Sequence, residues 1–108
     1  MLEEIVEEYF RVSVHRAGGR AEKTVDLTRI GAPDREVQWP GMGLDKVELK
    51  KPGETPEKHQ TRYHEYLAGC CVPVYLIDTI AKVDLYIAAR NAGRHLPELF
   101  SVPCDFIK

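Results

Sequence analysis

The fold of this chain can be worked out from one segment, Val47-Glu48-Leu49-Lys50-Lys51-Pro52-Gly53. Apolar and charged residues alternate over its first four positions, which is the period of a β-strand with two different faces. The apolar pair would face a core, while Glu48 and Lys50 would point together toward a cleft with their Cα atoms about 7 Å apart. The proline and glycine that follow indicate a turn after the strand.

A second strand is predicted over residues 34–39, and Pro40-Gly41-Met42-Gly43 predicts a turn between the two strands. The strands most simply pair as a hairpin, which can bring Asp34 next to Glu48. Two converging carboxylates repel each other unless a cation lies between them, and oxygen ligands favour a hard ion such as Mg²⁺ or Mn²⁺. With Lys50 beside them to orient or deprotonate water, or to balance charge in the transition state, they are the set that phosphodiester hydrolysis needs.

The other elements follow from apolar periods and capping residues. Ile5, Val6, Tyr9, Phe10 and Val12 form an apolar stripe that predicts a first helix over residues 3–15. That helix is predicted to end at Gly18-Gly19, and a strand over 21–27 and a loop over 28–33 are predicted to follow. A second helix is predicted from a Thr55 cap, with Pro56 at its first position, to about residue 67 or 68, with Gly69 at its end. The last predictions are a strand over 72–77, a helix from a Thr79 cap to about residue 90, and a tail with a short helix and an irregular segment. The order α-β-β-β-α-β-α implies an α/β fold, a mixed sheet with helices packed against it.

Length and composition restrict the function classes. The 108 residues suit one domain, with 44% apolar and 30% charged residues and a net charge of −2. No apolar run is long enough to span a membrane and the acidic N-terminus does not resemble a leader, so we expect no membrane partner and a cytoplasmic location. The odd number of cysteines, Cys70, Cys71 and Cys104, argues against a disulfide framework or a zinc site. The slightly acidic charge counts mildly against a nucleic-acid partner, unless a metal reverses the field locally.

A simpler interpretation competes with the proposed site. Glutamate and lysine two residues apart on a strand are most often solvated surface charges. His59 and His64 are weak metal candidates because a spacing of five does not align them on one helix face. Trp39 is better explained as core or interface than as a base-stacking platform.

A longer ordered motif surrounds the candidate residues and reads Gly31-Ala32-Pro33-Asp34-Arg35, Val47-Glu48-Leu49-Lys50-Lys51-Pro52-Gly53, Gln60, His64 and Leu67. It resembles the VRR-NUC nuclease family of the PD-(D/E)XK phosphodiesterase superfamily, which has this order of motifs followed by a strand and an acidic residue, here residues 72–78. The resemblance covers roughly residues 3 to 87, and it implies a restriction-endonuclease-like fold. We therefore expect one nuclease domain over residues 1–108, with a core over about 3–90 and a C-terminal extension over 91–108.

The resemblance also implies roles for single residues. Asp34 and Glu48 would bind Mg²⁺ or Mn²⁺, with the backbone carbonyl of Leu49 as a further ligand, Lys50 would be the catalytic lysine, and Gln60 would position water or the scissile phosphate. A first-helix glutamate would complete the metal shell; the spacing from Gly18-Gly19 favours Glu7, with Glu4 one turn earlier and Glu3 and Glu8 still open. The candidates for contact with DNA phosphates are Arg20, Lys23, Arg35, Lys51, Lys58 and Arg62.

The activity implied by the resemblance is a metal-dependent DNA endonuclease. Stand-alone members are similar to homodimeric enzymes that resolve branched DNA such as Holliday junctions, which would favour a dimeric junction resolvase. The alternatives are a flap or structure-specific nuclease, a non-catalytic nuclease fold that binds DNA or a protein, and an unrelated α/β interaction protein.

Overall fold

A computed structural model describes residues 3–24 and 35–105 of the chain. Its elements are α1 (Glu3–Arg16), β1 (Arg20–Lys23), β2 (Arg35–Trp39), β3 (Gly43–Leu49), α2 (Lys58–Gly69), β4 (Val74–Ile77), α3 (Ile80–Asn91) and a 3₁₀ turn (Pro97–Leu99). This order confirms the predicted α-β-β-β-α-β-α arrangement. The predicted loop over 28–33 and the ends of two predicted strands, residues 25–27 and residue 34, lie outside the described residues.

The four strands form one mixed sheet in the order β1-β2-β3-β4. β1, β2 and β3 are antiparallel, and β4 runs parallel to β3. The predicted hairpin of β2 and β3 is confirmed, with Arg35 paired with Val47 and Trp39 paired with Gly43. Its turn needs glycine, because Gly41 and Gly43 have φ angles of +79° and +88°, which side-chain-bearing residues rarely adopt.

The main core lies on the face of the sheet covered by α1 and α3. Val6, Phe10 and Val14 are fully buried there, at a spacing of four residues that places them on one side of α1. The predicted stripe was partly wrong, since Ile5 and Tyr9 are 51% and 37% exposed. Helix α1 therefore uses a narrower apolar face, and Ser13 and Ala17 border it where α3 approaches.

A buried polar chain runs through this core and joins the hairpin to α3. The Trp39 indole donates to the Tyr86 hydroxyl at 3.0 Å, and that hydroxyl donates to Asp45 at 2.5 Å. Arg90 Nε lies 3.0 Å from the same Asp45 carboxylate, and both side chains are almost fully buried. Since Asp45 and Arg90 are buried as an ion pair, this series of contacts fixes the position of α3 relative to β3. Trp39 is thus a core residue, as the sequence favoured.

Helix ends were predicted with mixed success. Gly18, with φ +92°, follows α1, and the Gly19 amide bonds back to Val14 at 3.0 Å, as expected for a glycine stop. Thr79 caps α3 by accepting from the Lys82 amide at 3.1 Å. The Thr55 cap was wrong: α2 begins at Lys58, with Glu57 as its cap.

Strand β4 begins two residues later than predicted because the end of α2 uses the intervening residues. Cys71 takes a left-handed conformation with φ +64°, and the Val72 amide bonds back to Leu67 at 2.8 Å. Pro73 has no amide proton to add to a ladder. The residue types from Val72 onward favour a strand, but the Val72 amide is used by a hydrogen bond at the end of α2.

The C-terminal segment packs on β4. Phe100 forms a bridge with Tyr75, the Ser101 amide donates to Val74 at 2.8 Å, and Leu99 enters the core. The 3₁₀ turn agrees with the predicted short helix of the tail. Within the described ranges, no helix is long and apolar enough to cross a membrane.

Gly19→Ala should destabilise the fold, because a Cβ there would lie 2.8 Å from two ring carbons of Trp39 and 3.0 Å from Val14. Such overpacking costs about 1–3 kcal/mol, measurable as the free energy of unfolding in urea. Gly69→Ala is the matched control, since a Cβ at that helical position meets nothing within 4 Å. We expect it to be neutral or stabilising by up to about 1 kcal/mol. Equal stability of Gly19→Ala and the wild type would contradict the close contact with Trp39.

Candidate active site

Glu48 and Lys50 lie on the face of the sheet opposite the main core, as the strand period predicted. The Glu48 side chain is only 1% exposed and that of Lys50 only 12% exposed. Lys50 Nζ is 3.6 Å from Glu48 Oε2. The interpretation of a solvated strand face is therefore wrong. A buried carboxylate carries a large desolvation cost, so its environment must supply cationic or hydrogen-bonding partners.

Gln60 from α2 closes a triangle with these two side chains. Its Nε2 donates to Glu48 Oε2 at 3.0 Å, and its Oε1 accepts from Lys50 Nζ at 2.9 Å. Oε1 also accepts from the Glu57 amide at 2.9 Å, which makes Gln60 the third residue of the helix capping arrangement. The structure thus brings Gln60 together with Glu48 and Lys50, two of the other predicted site residues. The start of α2 and the position of Lys50 depend on the same amide group.

Asp78 holds the turn that follows Lys50. Its carboxylate accepts from the Gly53 amide at 3.0 Å and lies 2.8 Å from Lys82 Nζ. Burial raises the pKa of Asp78, but the hydrogen bonds from Lys82 and Gly53 outweigh burial and keep the pKa below its ordinary value. Since Gly53 has φ +79°, the turn needs both this glycine and this carboxylate. The Lys50 amide, bonded to Ile77 at 3.0 Å, joins the same region to β4.

His64 lies one turn after Gln60 on the inner side of α2 and is fully buried. Its Nδ1 is 2.6 Å from the hydroxyl of Ser101 in the C-terminal segment. Burial, helped by the positive charge of Lys50, lowers the pKa of His64 to about 4, so the ring is neutral at pH 7. The sequence contained no signal for this contact, because Ser101 lies outside the motif and 37 residues away.

Glu7 and Arg35 form an ion pair between α1 and β2. The side chain of Arg35 is 11% exposed and that of Glu7 33% exposed. The structure thus pairs Glu7, the favoured metal ligand of the first helix, with Arg35, one of the predicted phosphate contacts. Of the other first-helix candidates, Glu8 pairs with Arg11 at 2.7 Å, and the hydrogen bond from Arg11 lowers the pKa of Glu8.

The remaining predicted phosphate contacts are spread over two regions. Lys51, Lys58 and Arg62 are exposed on the turn after β3 and on α2, the helix of Gln60. In the strand register of β1 and β2, Lys23 lies opposite Arg35, and Arg20 lies opposite Gln38 at the other end of β1. Arg20 is 2.5 Å from Glu22. The structure therefore does not gather Arg20 with the α2 cations.

A divalent ion would need more oxygen ligands than Glu48. In the described ranges, no three His, Cys, Asp or Glu side chains come close enough together to hold a metal. Asp34, the predicted second carboxylate, lies outside those ranges. The donors fit a hard cation in kind, since a buried carboxylate of Glu48 and the adjacent backbone carbonyl of Leu49 are both oxygen ligands.

A curated relative and a solved structure are both similar to this chain. A protein of Acyrthosiphon pisum secondary endosymbiont phage 1 described as "Putative nuclease p44" is 36% identical over 77 residues, which are 71% of this chain and 83% of that protein. A solved structure described as "VRR_NUC domain" is similar with a TM-score of 0.75 and 30% identity, and the match covers 80% of this chain and 94% of that one. No protein-family model matches the chain.

The buried His64 predicts acid sensitivity. An unfolded histidine binds a proton at a pKa near 6.5, while folded His64 does so only at about 4. Between these values the unfolded state binds more protons, so stability falls as pH drops through this window, by up to roughly 3 kcal/mol. His64→Gln should lose less stability than the wild type between pH 7 and pH 4 in urea titrations. Parallel pH profiles for the two proteins would contradict the assigned burial of a neutral ring.

Proposed function

This chain belongs to the VRR-NUC family of nucleases in the PD-(D/E)XK phosphodiesterase superfamily, and from that premise we propose that it is a divalent-metal-dependent DNA endonuclease. The observation that carries the proposal is the buried triangle of Glu48, Gln60 and Lys50. An acid and a cation that are each hydrogen-bonded to one amide, and largely shielded from bulk water, are typical of a functional site. The presence of all three residue types argues against a non-catalytic binding module.

Asp34, Glu48 and the Leu49 carbonyl are the proposed ligands of Mg²⁺ or Mn²⁺. Asp34 directly precedes Arg35 in the sequence. Arg35 in turn pairs with Val47, the neighbour of Glu48. A divalent ion supplies Lewis acidity toward a phosphoryl oxygen and makes water more acidic. Glu7 is the proposed outer member of the set, held near β2 by Arg35.

Lys50 and Gln60 are the proposed groups that act on water and on the scissile phosphate. Lys50 keeps its ammonium beside Glu48 through the Gln60 bond, so the cation is in place before substrate arrives. There it can orient the attacking water or balance the charge that develops on the phosphorane oxygens. Gln60 has one amide group that already contacts both partners, so it can hold their separation constant. The prepositioned arrangement avoids reorganisation during the reaction.

Exposed cations next to the triangle support DNA as the substrate. Lys51 follows Lys50 directly, and Lys58 and Arg62 lie on the helix that carries Gln60. They offer phosphate contacts at the site although the chain as a whole has a net charge of −2. Arg35, Lys23 and Arg20 remain proposed contacts at the β1 side. A local basic track of this kind predicts weaker DNA binding at higher salt.

The finer proposal is selectivity for branched DNA by a homodimer, as in a Holliday junction resolvase. Two copies related by a twofold axis would present two triangles to two strands of a junction. A flap or other structure-specific nuclease is the alternative. Support for either comes from family membership.

Lys50→Met should abolish DNA cleavage in Mg²⁺ or Mn²⁺, with a loss of about 10²–10³-fold or more, because it removes the cation and retains most of the side-chain volume. Lys46→Met is the matched control, since Lys46 lies on the same face of β3 but pairs with Glu36 at 2.9 Å. It should cleave like the wild type. Circular dichroism and urea unfolding would verify that both variants fold. Full activity of Lys50→Met would overturn the assignment of Lys50.

Glu48→Gln should eliminate Mn²⁺ binding measured by calorimetry, because it removes the negative charge and keeps the shape of the proposed ligand. Lys50→Met should retain that binding, since Lys50 is not a proposed ligand. If Glu48→Gln bound Mn²⁺ as tightly as the wild type, the metal would not lie at Glu48. A wild-type protein that neither binds Mn²⁺ nor cleaves DNA would favour the non-catalytic binding module.

A cleavage panel of linear, flap, splayed and four-way DNA would test the finer proposal. A dimeric junction resolvase should cut four-way DNA fastest and introduce paired, symmetric incisions. Preference for flaps, with single incisions, would favour the alternative nuclease. Equal rates on all four substrates would reject structure selectivity but leave the proposed nuclease activity standing.

A further inference from the structure

We propose that one face of α2 outside the triangle is a stacking surface for unpaired bases of a nucleic-acid strand. We call it the α2 stripe, and it consists of His59, Arg62, Tyr63 and Tyr66. These residues follow the spacing i, i+3, i+4 and i+7, which places them in one row along a helix. The inference deepens the proposed function, because it specifies which part of a DNA substrate this side of the site would hold.

Exposure distinguishes the α2 stripe from a buried helix face. Tyr66 is 65% exposed, more than any other large apolar side chain in the described ranges. The Tyr63 ring is half-buried and meets the Tyr66 ring edge to face, with centroids 6.3 Å apart and an interplanar angle of 83°. Tyr63 therefore supports Tyr66 from one side and leaves much of the Tyr66 ring in solvent. An aromatic face held in this way is available for stacking.

The α2 stripe is close to the triangle because both use α2. Tyr63 and Tyr66 follow Gln60 by three and six residues. They are turned from it by about 60° and about 120° around the helix, and Tyr66 lies about 9 Å further along the axis. That distance corresponds to roughly two to three base steps of a stacked strand, at about 3.4 Å per step. A strand whose phosphate lies at Gln60 could thus place a nearby base on Tyr66.

The exposed cations of α2 favour a polyanionic ligand on this face. Helix α2 carries two exposed cations, Lys58 and Arg62, and its single acidic residue, Glu65, is turned about 100° from Tyr66. Glu57, just before the helix, lies 3.4 Å from His59, which limits the positive charge at that end. An exposed ring beside a guanidinium is the combination that binds single strands through stacking and phosphate contact.

The exposed aromatic residue of α1 has different surroundings. Tyr9 on α1 donates its hydroxyl to Asp84 at 2.6 Å, which raises the pKa of Tyr9. The Asp84 carboxylate bound to this hydroxyl would oppose a phosphate backbone beside the Tyr9 ring. Of these two aromatic surfaces, the α2 stripe is the one that suits nucleic acid.

Unpaired bases are the expected ligand because the bases of a duplex are already stacked on one another and present only their edges. A protein ring can stack only on a base that is splayed out or single-stranded. Flaps, splayed arms and opened junctions provide such bases beside a scissile phosphate. The α2 stripe would therefore favour branched or single-stranded DNA over intact duplex.

The test measures binding by the full chain carrying Lys50→Met, which prevents cleavage. The probes are a 20-nucleotide single strand that contains 2-aminopurine and a 20-base-pair duplex, with affinity read by fluorescence anisotropy. Adding Tyr66→Ala should weaken single-strand binding about tenfold, change duplex binding less than twofold, and remove the quenching of 2-aminopurine by stacking. Tyr66→Phe should behave like the parent protein, because it keeps the ring. Leu85→Ala is the control, since Leu85 is 54% exposed on α3.

Three outcomes would overturn the inference. Unchanged single-strand affinity in Tyr66→Ala would show that the ring does not stack on bases. Equal weakening on single strand and duplex would indicate a contact that is independent of base stacking. A change in sedimentation with no change in base quenching would make the face an interface between copies of the chain.

The same experiment separates this inference from the proposed function. If Tyr66→Ala without Lys50→Met cleaves DNA and binds single strands like the wild type, the stacking surface is wrong and the nuclease activity stands. If the wild type cleaves no DNA, but binds single strands and this binding is lost in Tyr66→Ala, the stacking surface stands and the proposed activity fails.

Discussion

The hydrogen bonds of one amide, Gln60, connect the parts of this protein that matter for its chemistry. Glu48 is buried on the sheet, and its carboxylate needs partners because burial removes water from the charge. Gln60 donates to Glu48, accepts from Lys50 and accepts from the Glu57 amide at the start of α2. The position of a helix on the sheet and the geometry of the candidate site are therefore set by the same contacts.

Neighbouring contacts restrict how far this arrangement can move. Asp78 at the end of β4 binds the turn after Lys50, and Ser101 of the C-terminal segment contacts His64 on α2. Both contacts join segments distant in sequence to the two elements that carry the triangle. The C-terminal segment thus contributes to the site without containing any residue of the family motif. The opposite face of the sheet is held separately by the buried chain from Trp39 to Arg90.

The errors in the sequence predictions occur where hydrogen bonds of the folded protein outweigh the preferences of single residues. Thr55-Pro56 is a good helix start by residue preference, but α2 begins after Glu57, whose amide donates to the Gln60 side chain that also contacts Lys50 and Glu48. Val72 suits a strand, but the end of α2 uses its amide. In both places a hydrogen bond of the folded protein outweighed a preference of about 1 kcal/mol. The hairpin and the Thr79 cap were predicted well because their causes are local.

Sequence alone determined the order of elements, the shared face of Glu48 and Lys50, and the family, since strand alternation and an ordered motif need no knowledge of distant contacts. Only the tertiary structure decided that this face is buried, that Gln60 lies between the acid and the lysine, and that Glu7 pairs with Arg35. It also decided that Ser101 reaches His64 and that Tyr66 stays exposed. Burial and long-range pairing depend on how helices pack on the sheet, and that packing is a property of the whole chain rather than of any one segment.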